Sequence, residues 1–234
     1  MSSASPESSP WQSGLRGARA NLWPGLALQL VALAVVASFY WLPAVHAALA
    51  RLVVFREETG AAFAIVSTAL VGGLLPFLYL RRTGRYNGWQ GLGLTVFWGY
   101  KGFEVDLLYH LQAHLVGSGH NFGTIAVKVC IDQLVYGPLL AAPDMTAGYQ
   151  LVEAHFDWSA VWADWKRPHW YRRRVLPVLI SNLGVWVPAV AIIYLLPTPL
   201  QLPLQNIVLC FYTLVIAHQT RTAPESTVLA ARPA

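Results

Sequence analysis

The stretch from Trp98 to Pro138 constrains this chain more than any other. It is apolar enough for a bilayer, yet it carries Lys101, Glu104, Asp106, His110, His114, Lys128 and Asp132. An ionisable side chain at membrane depth costs about 2.5–3.5 kcal/mol on insertion scales, so it is usually kept for a partner or a pathway. A soluble fold would put these groups on its surface, but the rest of the chain offers little surface to match. Only 12% of its 234 residues are charged and 56% are hydrophobic, against roughly 25% charged in a soluble domain. The expected fold class is all-α, a polytopic transmembrane helical bundle of about six spans.

Residues 1–20 are rich in Ser, Pro, Gly and Ala and are expected to form a disordered N-terminal tail. The bundle is expected over residues 21–219, and a flexible C-terminal tail over 220–234. The first span covers 21–43, longer than the roughly 7–15 residues of a signal-peptide core. Trp23, Tyr40 and Trp41 mark its ends, where aromatic belts lie. Residues 44–55 read as an interfacial extension, and Arg56, Glu57 and Glu58 as a polar loop. Further spans are expected at 60–80, 89–116, 121–142, 175–196 and 202–217. Pro138 and Pro188 are candidate helix bends. Between the fourth and fifth spans, Trp158, Trp162 and Trp165 share one helical face among basic residues. That pattern predicts a short amphipathic helix on the membrane surface, or an indole stripe packed on the protein itself.

Lys and Arg are distributed unevenly between alternate loops. With the N-terminus inside, the inner segments hold Arg16, Arg19, Arg81, Arg82, Arg85, Lys166, Arg167, Arg172, Arg173, Arg174, Arg221 and Arg232. The outer ones hold only Arg51 and Arg56. The positive-inside rule then places both termini in the cytoplasm. The net charge of +5 belongs to these loops. No soluble basic module is present, so no nucleic-acid partner is expected. Cys130 and Cys210 lie in apolar runs and read as free thiols.

In the third span Asp106, His110 and His114 recur every fourth residue and share a face. Lys101 and Glu104 lie nearly opposite and can pair at i, i+3. In the fourth, Asn121, Thr124, Lys128, Asp132 and Tyr136 share a face, with Lys128 and Asp132 at i, i+4 and Gln133 beside them. The charges either pair across the two helices and fix packing, or line a polar lane for a hydrophilic solute. The candidate pore-lining or polar-network set is therefore Lys101, Glu104, Asp106, His110, His114, Lys128, Asp132, Gln133 and Tyr136. Asp106, His110 and His114 also have a helical zinc-ligand spacing. No second HxxxH or HxxE motif completes such a set, so no metal or cofactor is expected. No phosphate-binding loop, Walker pattern or GxSxG elbow is present, which argues against a nucleotide-driven pump and a serine hydrolase.

The run KVCIDQLVYGP, from Lys128 through Asp132, Gln133 and Tyr136 to Pro138, resembles the signature of the Mpv-seventeen/22-kDa peroxisomal membrane protein family. Tyr100 and Lys101 upstream, Asn182, Trp186, Pro188 and Pro197 downstream, and the final helix IVLCFYTLVIAH are similar to that family's pattern. Phe211, Tyr212 and Thr213 depart from it where the family favours Trp and Asn. The resemblance covers about residues 60–219 and implies a small integral membrane protein, proposed in that family to form channels or to maintain metabolite balance.

The reading that follows is a non-enzymatic, channel-like or permeability-modulating protein for small hydrophilic solutes or ions. A non-transporting scaffold and a metal-dependent intramembrane enzyme are the alternatives. Expected partners are membrane lipid, a small hydrophilic solute and, in a homo-oligomer, further copies of the chain. A bacterial cytoplasmic membrane is the favoured location, with an organelle inner membrane as the alternative.

Overall fold

A computed structural model describes residues 9–81 and 86–222. The expectations for residues 1–8, for Arg82 and Arg85, and for the tail from residue 223 on lie outside the described residues. Nine helices are formed among those described, and no strand. They are α1 (Pro10–Ala20), α2 (Leu22–Trp41), α3 (Pro43–Thr59), α4 (Ala61–Arg81), α5 (Gly88–Leu115), α6 (Phe122–Glu153), α7 (Trp158–Trp165), α8 (Tyr171–Ile193) and α9 (Thr198–Thr222).

Four of them, α2, α4, α6 and α8, are long and apolar enough to cross a membrane. This is the make-up of a membrane-embedded protein. The third and sixth expected spans also form as helices, α5 with 28 residues and α9 with 25. Both are more polar: α5 carries Lys101, Glu104 and Asp106, and α9 carries Gln201, Gln205 and Asn206.

Local sequence sets most of the helix ends. Pro43 opens α3 at a position where its missing N–H costs nothing. Asn87 and Gln90 form a reciprocal capping box at the start of α5, and Asn121 caps α6 by accepting from Thr124 N at 3.0 Å. Gly60 separates α3 from α4 at φ 57°, and Gly117 ends α5 at φ 102°, a backbone region that favours glycine.

The expected N-terminal tail is corrected over residues 10–20, which form α1. Ser9 and Gln12 make a capping box, and Pro10 occupies the first turn. The small residues that suggested disorder serve close packing instead. A Cβ on Gly14 would lie 2.6 Å from Ile180 Cβ, and one on Gly17 would lie 2.5 Å from Ser181 Oγ. Small residues let two helices approach until backbone meets side chain, which is where helix association in lipid gains its dispersion energy. The expected polar loop at Arg56–Glu58 is also overturned: these residues are the last turn of α3, and Arg56 is buried. The tail expected from residue 220 is corrected over residues 220–222, which belong to α9.

Three helices widen into π turns, at Ala69–Leu74, Asp132–Ala141 and Tyr171–Val175. Each contains a proline or lies within two residues of one: Pro76, Pro138 and Pro177. A proline ring clashes with the carbonyl four residues back, and a wider turn relieves that clash. Pro138 thus sits inside a wide turn, and Pro188 sits inside the regular part of α8.

The main core gathers Ala32, Val36 and Phe39 of α2, Val105 and Tyr109 of α5, Ala189, Val190, Ile192 and Ile193 of α8, and Leu200, Leu202, Leu204 and Val208 of α9. α9 contacts α2, α3, α4, α5 and α8, and so forms the axis of the bundle. Of its amides, Asn206 accepts from Thr68 at 2.9 Å and donates to Ser67 at 2.9 Å, while Gln201 donates to the Leu196 carbonyl at 3.0 Å and leaves its Oε1 without a partner among the described residues. Aromatic residues at both ends of the apolar helices stand outward, Trp23 and Trp89 at one end of α2 and α5, Trp41 at the other end of α2. Twenty residues of α2 span about 30 Å, the thickness of a bilayer core.

Candidate functional site

Four polar side chains of α5 fall on one buried face. Trp98, Lys101, Tyr109 and Gln112 repeat at helical spacing, and each meets a polar group from another helix. Lys101 is 4% exposed. Its ammonium donates to Glu104 Oε1 at 2.7 Å, to Asp144 Oδ2 at 2.9 Å and to the Tyr136 hydroxyl at 3.2 Å. The expected Lys101–Glu104 pair and Tyr136 therefore meet, and Asp144 of α6 joins them. Two carboxylates and one phenol saturate one ammonium, the condition under which a buried charge persists.

Asp132 is treated differently. Tyr194 donates its hydroxyl to Oδ2 at 2.9 Å, and Gln133 Nε2 donates to Oδ1 at 2.8 Å. Gln112 Nε2 donates in turn to the Tyr194 hydroxyl at 3.0 Å. The carboxylate is thus held by neutral donors. The pairing with Lys128 suggested by their i, i+4 spacing does not form. Lys128 is 2% exposed, its ammonium lies 5.6 Å from the centre of the Tyr194 ring, and no carboxylate is within 4.0 Å of it among the described residues.

Asp106 pairs with Arg56 of α3, whose guanidinium also donates to the Thr198 carbonyl at 3.4 Å. His110 Nδ1 lies 2.8 Å from the Asp106 carbonyl and 3.6 Å from its carboxylate, while most of the ring faces outward. His114 is exposed. The Asp106–His110–His114 face therefore diverges. Among the described residues no three His, Cys, Asp or Glu side chains converge as metal ligands.

Between α5, α6, α8 and α9 lies a cavity of about 130 Å³. Lys101, Asp132, Gln133 and Tyr136 supply much of its polar wall, and Val105, Leu179, Val190 and Leu202 part of its apolar one. Trp98, Met145, Asn182, Trp186 and Leu209 line both this cavity and a second of about 460 Å³, which reaches Gln150, Glu153 and Arg174. The two cavities adjoin across these five shared residues. Of the expected network, Lys101, Asp132, Gln133 and Tyr136 line the first cavity. Glu104, Asp106, His110, His114 and Lys128 do not.

At the far end of the larger cavity, Asp164 of α7 collects Gln150 at 3.0 Å, Arg173 at 2.9 Å, Arg174 at 3.2 Å and Arg167 at 3.8 Å. Burial opposes ionisation of Asp164, but the Gln150 hydrogen bond and the arginines outweigh it and hold its carboxyl below the usual range. The expected amphipathic helix is α7. Its indoles also pack on each other, Trp158 and Trp162 against Trp165 at 5.7 and 5.9 Å between ring centres. Trp158 and Trp162 remain exposed while Val161 is buried.

Sequence reasoning missed Arg56, Asp144, Tyr194, Gln112 and Gln205. Arg56 and Asp144 looked like loop residues. Tyr194 sits in the apolar run ending at Pro197, where only its hydroxyl hints at a partner. No protein-family model, curated protein or solved structure matches the chain significantly.

Proposed function

We propose that this is a multi-pass membrane protein with a channel-like or permeability-modulating role for small solutes or ions, and not an enzyme. The observation that carries the reading is the first cavity. Lys101, Asp132, Gln133 and Tyr136 face a space in the middle of the bundle, and that space adjoins a larger one reaching the arginine-rich end. A carboxylate held by neutral donors at such a wall can exchange a hydrogen bond with a passing solute. The resemblance to the Mpv-seventeen family rests on the same residues, Asp132, Gln133 and Tyr136, and agrees with this role.

The topology of the proposal has six spans, both termini cytoplasmic and a bacterial cytoplasmic membrane as the setting. The buried pairing of Arg56 with Asp106 strengthens the charge asymmetry, since it leaves Arg51 as the one free cation of the expected outer segments among the described residues. Membrane lipid and the solute are the partners, and a homo-oligomer is compatible with the bundle.

The test is flux through sealed proteoliposomes of the purified chain. Small solutes should leak, and Asp132→Asn should change the rate. No flux for any member of a broad solute and ion panel, at any pH, would sink the proposal. The scaffold reading has its own support in the saturated Lys101 and Arg56 pairs. It predicts no flux, and Asp132→Asn changing stability alone.

A further inference from the structure

The larger cavity has a wall chemistry of its own. Its volume of about 460 Å³ falls within the range of roughly 300–1,000 Å³ typical of small-molecule sites. Phe77, Trp98, Tyr149, Trp186 and Tyr212 give it flat aromatic walls. These rings are held in place. Trp98 Nε1 donates to the Tyr149 hydroxyl at 3.2 Å, and the Trp186 and Tyr212 rings meet edge to face at 5.8 Å.

Three of the polar groups left over are donors. Tyr212 donates its hydroxyl to Asn182 Oδ1 at 2.9 Å, which leaves the Asn182 amide N–H groups without an acceptor among the described residues. Arg174 gives Nε to Asp164 at 3.2 Å, and its two Nη groups have no acceptor among the described residues. The Tyr149 hydroxyl accepts from Trp98 and keeps its own proton. Gln150 Oε1 is a buried acceptor without a partner among the described residues. Around Asp164 the charge is positive in sum, since Arg167, Arg173 and Arg174 gather on that one carboxylate, while Glu153 stands on the cavity wall. Arg174 and Asn182 both lie on α8, eight residues or about 12 Å apart along its axis.

We propose that this cavity binds a small organic anion with a flat apolar body, an aromatic carboxylate by class. The ring lies among Trp98, Trp186 and Tyr212. The carboxylate meets the free Nη groups of Arg174, which are preorganised for a planar bidentate acceptor. Asn182 supplies a donor at the deeper end. As a naming of the solute class this rests on the transport reading; as a binding site it does not.

The experiment is calorimetric titration of 2-naphthoate into the full chain in lipid nanodiscs, with empty nanodiscs subtracted. The cation 2-naphthylmethylamine is the control of matched shape. Saturable binding of one naphthoate per chain is expected, about tenfold or more tighter than the amine and weakened about tenfold by Arg174→Gln. Should Arg174→Gln fail to fold, the acid-to-amine ratio on the unaltered protein decides alone. Equal affinity for acid and amine, or only the partitioning seen in empty nanodiscs, overturns the site. Saturable binding without flux would sink the transport reading and leave this site standing. Flux without saturable binding would do the reverse.

Discussion

Lys101 and Asp132 line the same cavity but differ in how their charge is met. The Lys101 ammonium is surrounded by two carboxylates and a phenol. The Asp132 carboxylate has only the Tyr194 hydroxyl and the Gln133 amide, while the nearby cation Lys128 rests over the Tyr194 ring. A saturated ion pair gains little from any visitor and holds helices together. A carboxylate on neutral donors keeps unused acceptor capacity. The contrast separates charges that build the bundle from a charge that is free to act.

The contrast can be broken most sharply at its saturated end. Lys101→Met leaves Glu104 and Asp144 facing each other in a buried site, and should cost about 3–5 kcal/mol. A fall in thermal unfolding temperature of purified protein reads this. If Lys101→Met unfolds at the wild-type temperature, Lys101 is not a structural charge. The Arg56–Asp106 pair gives the next effect. Asp106→Leu alone strands a buried guanidinium, whereas Arg56→Met together with Asp106→Leu should recover most of the loss, as buried pairs replaced whole are often near neutral. A double variant no more stable than the single one would contradict the pairing.

At the neutral-donor end the effects are smaller. Tyr194→Phe removes one donor from Asp132 and one acceptor from Gln112, and should cost about 1–3 kcal/mol. It should also change flux, because the Asp132 carboxylate is then less tied. An altered stability with unaltered flux would return Asp132 to the structural class.

The smallest effect concerns Asp164, away from both. Its carboxyl is held below the usual range in the fold, so the stabilisation it provides is complete above the unfolded carboxylate value of about 3.9 and fades as the pH falls through the lower folded value. Acidification should therefore release Trp165 fluorescence only below about pH 4. A transition near neutral pH would mean that another group controls α7.

Much of the frame was legible because it depends on local chemistry. Apolar runs with Pro43, Gly60, Asn87, Gly117 and Asn121 between them mark helix bodies and ends, and these act within a turn or two. The site was legible only in part. The i, i+3 pair of Lys101 and Glu104 formed because both partners lie on one helix. The i, i+4 pair of Lys128 and Asp132 did not, since Tyr194, 62 residues from Asp132, satisfies the carboxylate first. Arg56 and Asp106 are 50 residues apart, and nothing local announces such a pair. α1 was misread for a related reason: glycines that loosen an isolated chain also permit the closest helix contacts, and the partner residues Ile180 and Ser181 decide which.

The wide turns around Pro138 have a consequence for phase. Tyr136 and Asp144 are eight residues apart, which on an ideal α-helix sets them about 80° out of line at roughly 100° per residue. Both nonetheless reach the one ammonium of Lys101. Each π turn takes up more residues than an α turn, so the later half of α6 lags in rotation and Asp144 comes round towards Lys101. A single imino ring thereby acts at a distance of six residues, as an angular offset between two halves of one rod. Replacing Pro138 by alanine would remove the reason for the offset, and Asp144 would be the first partner to swing away from Lys101.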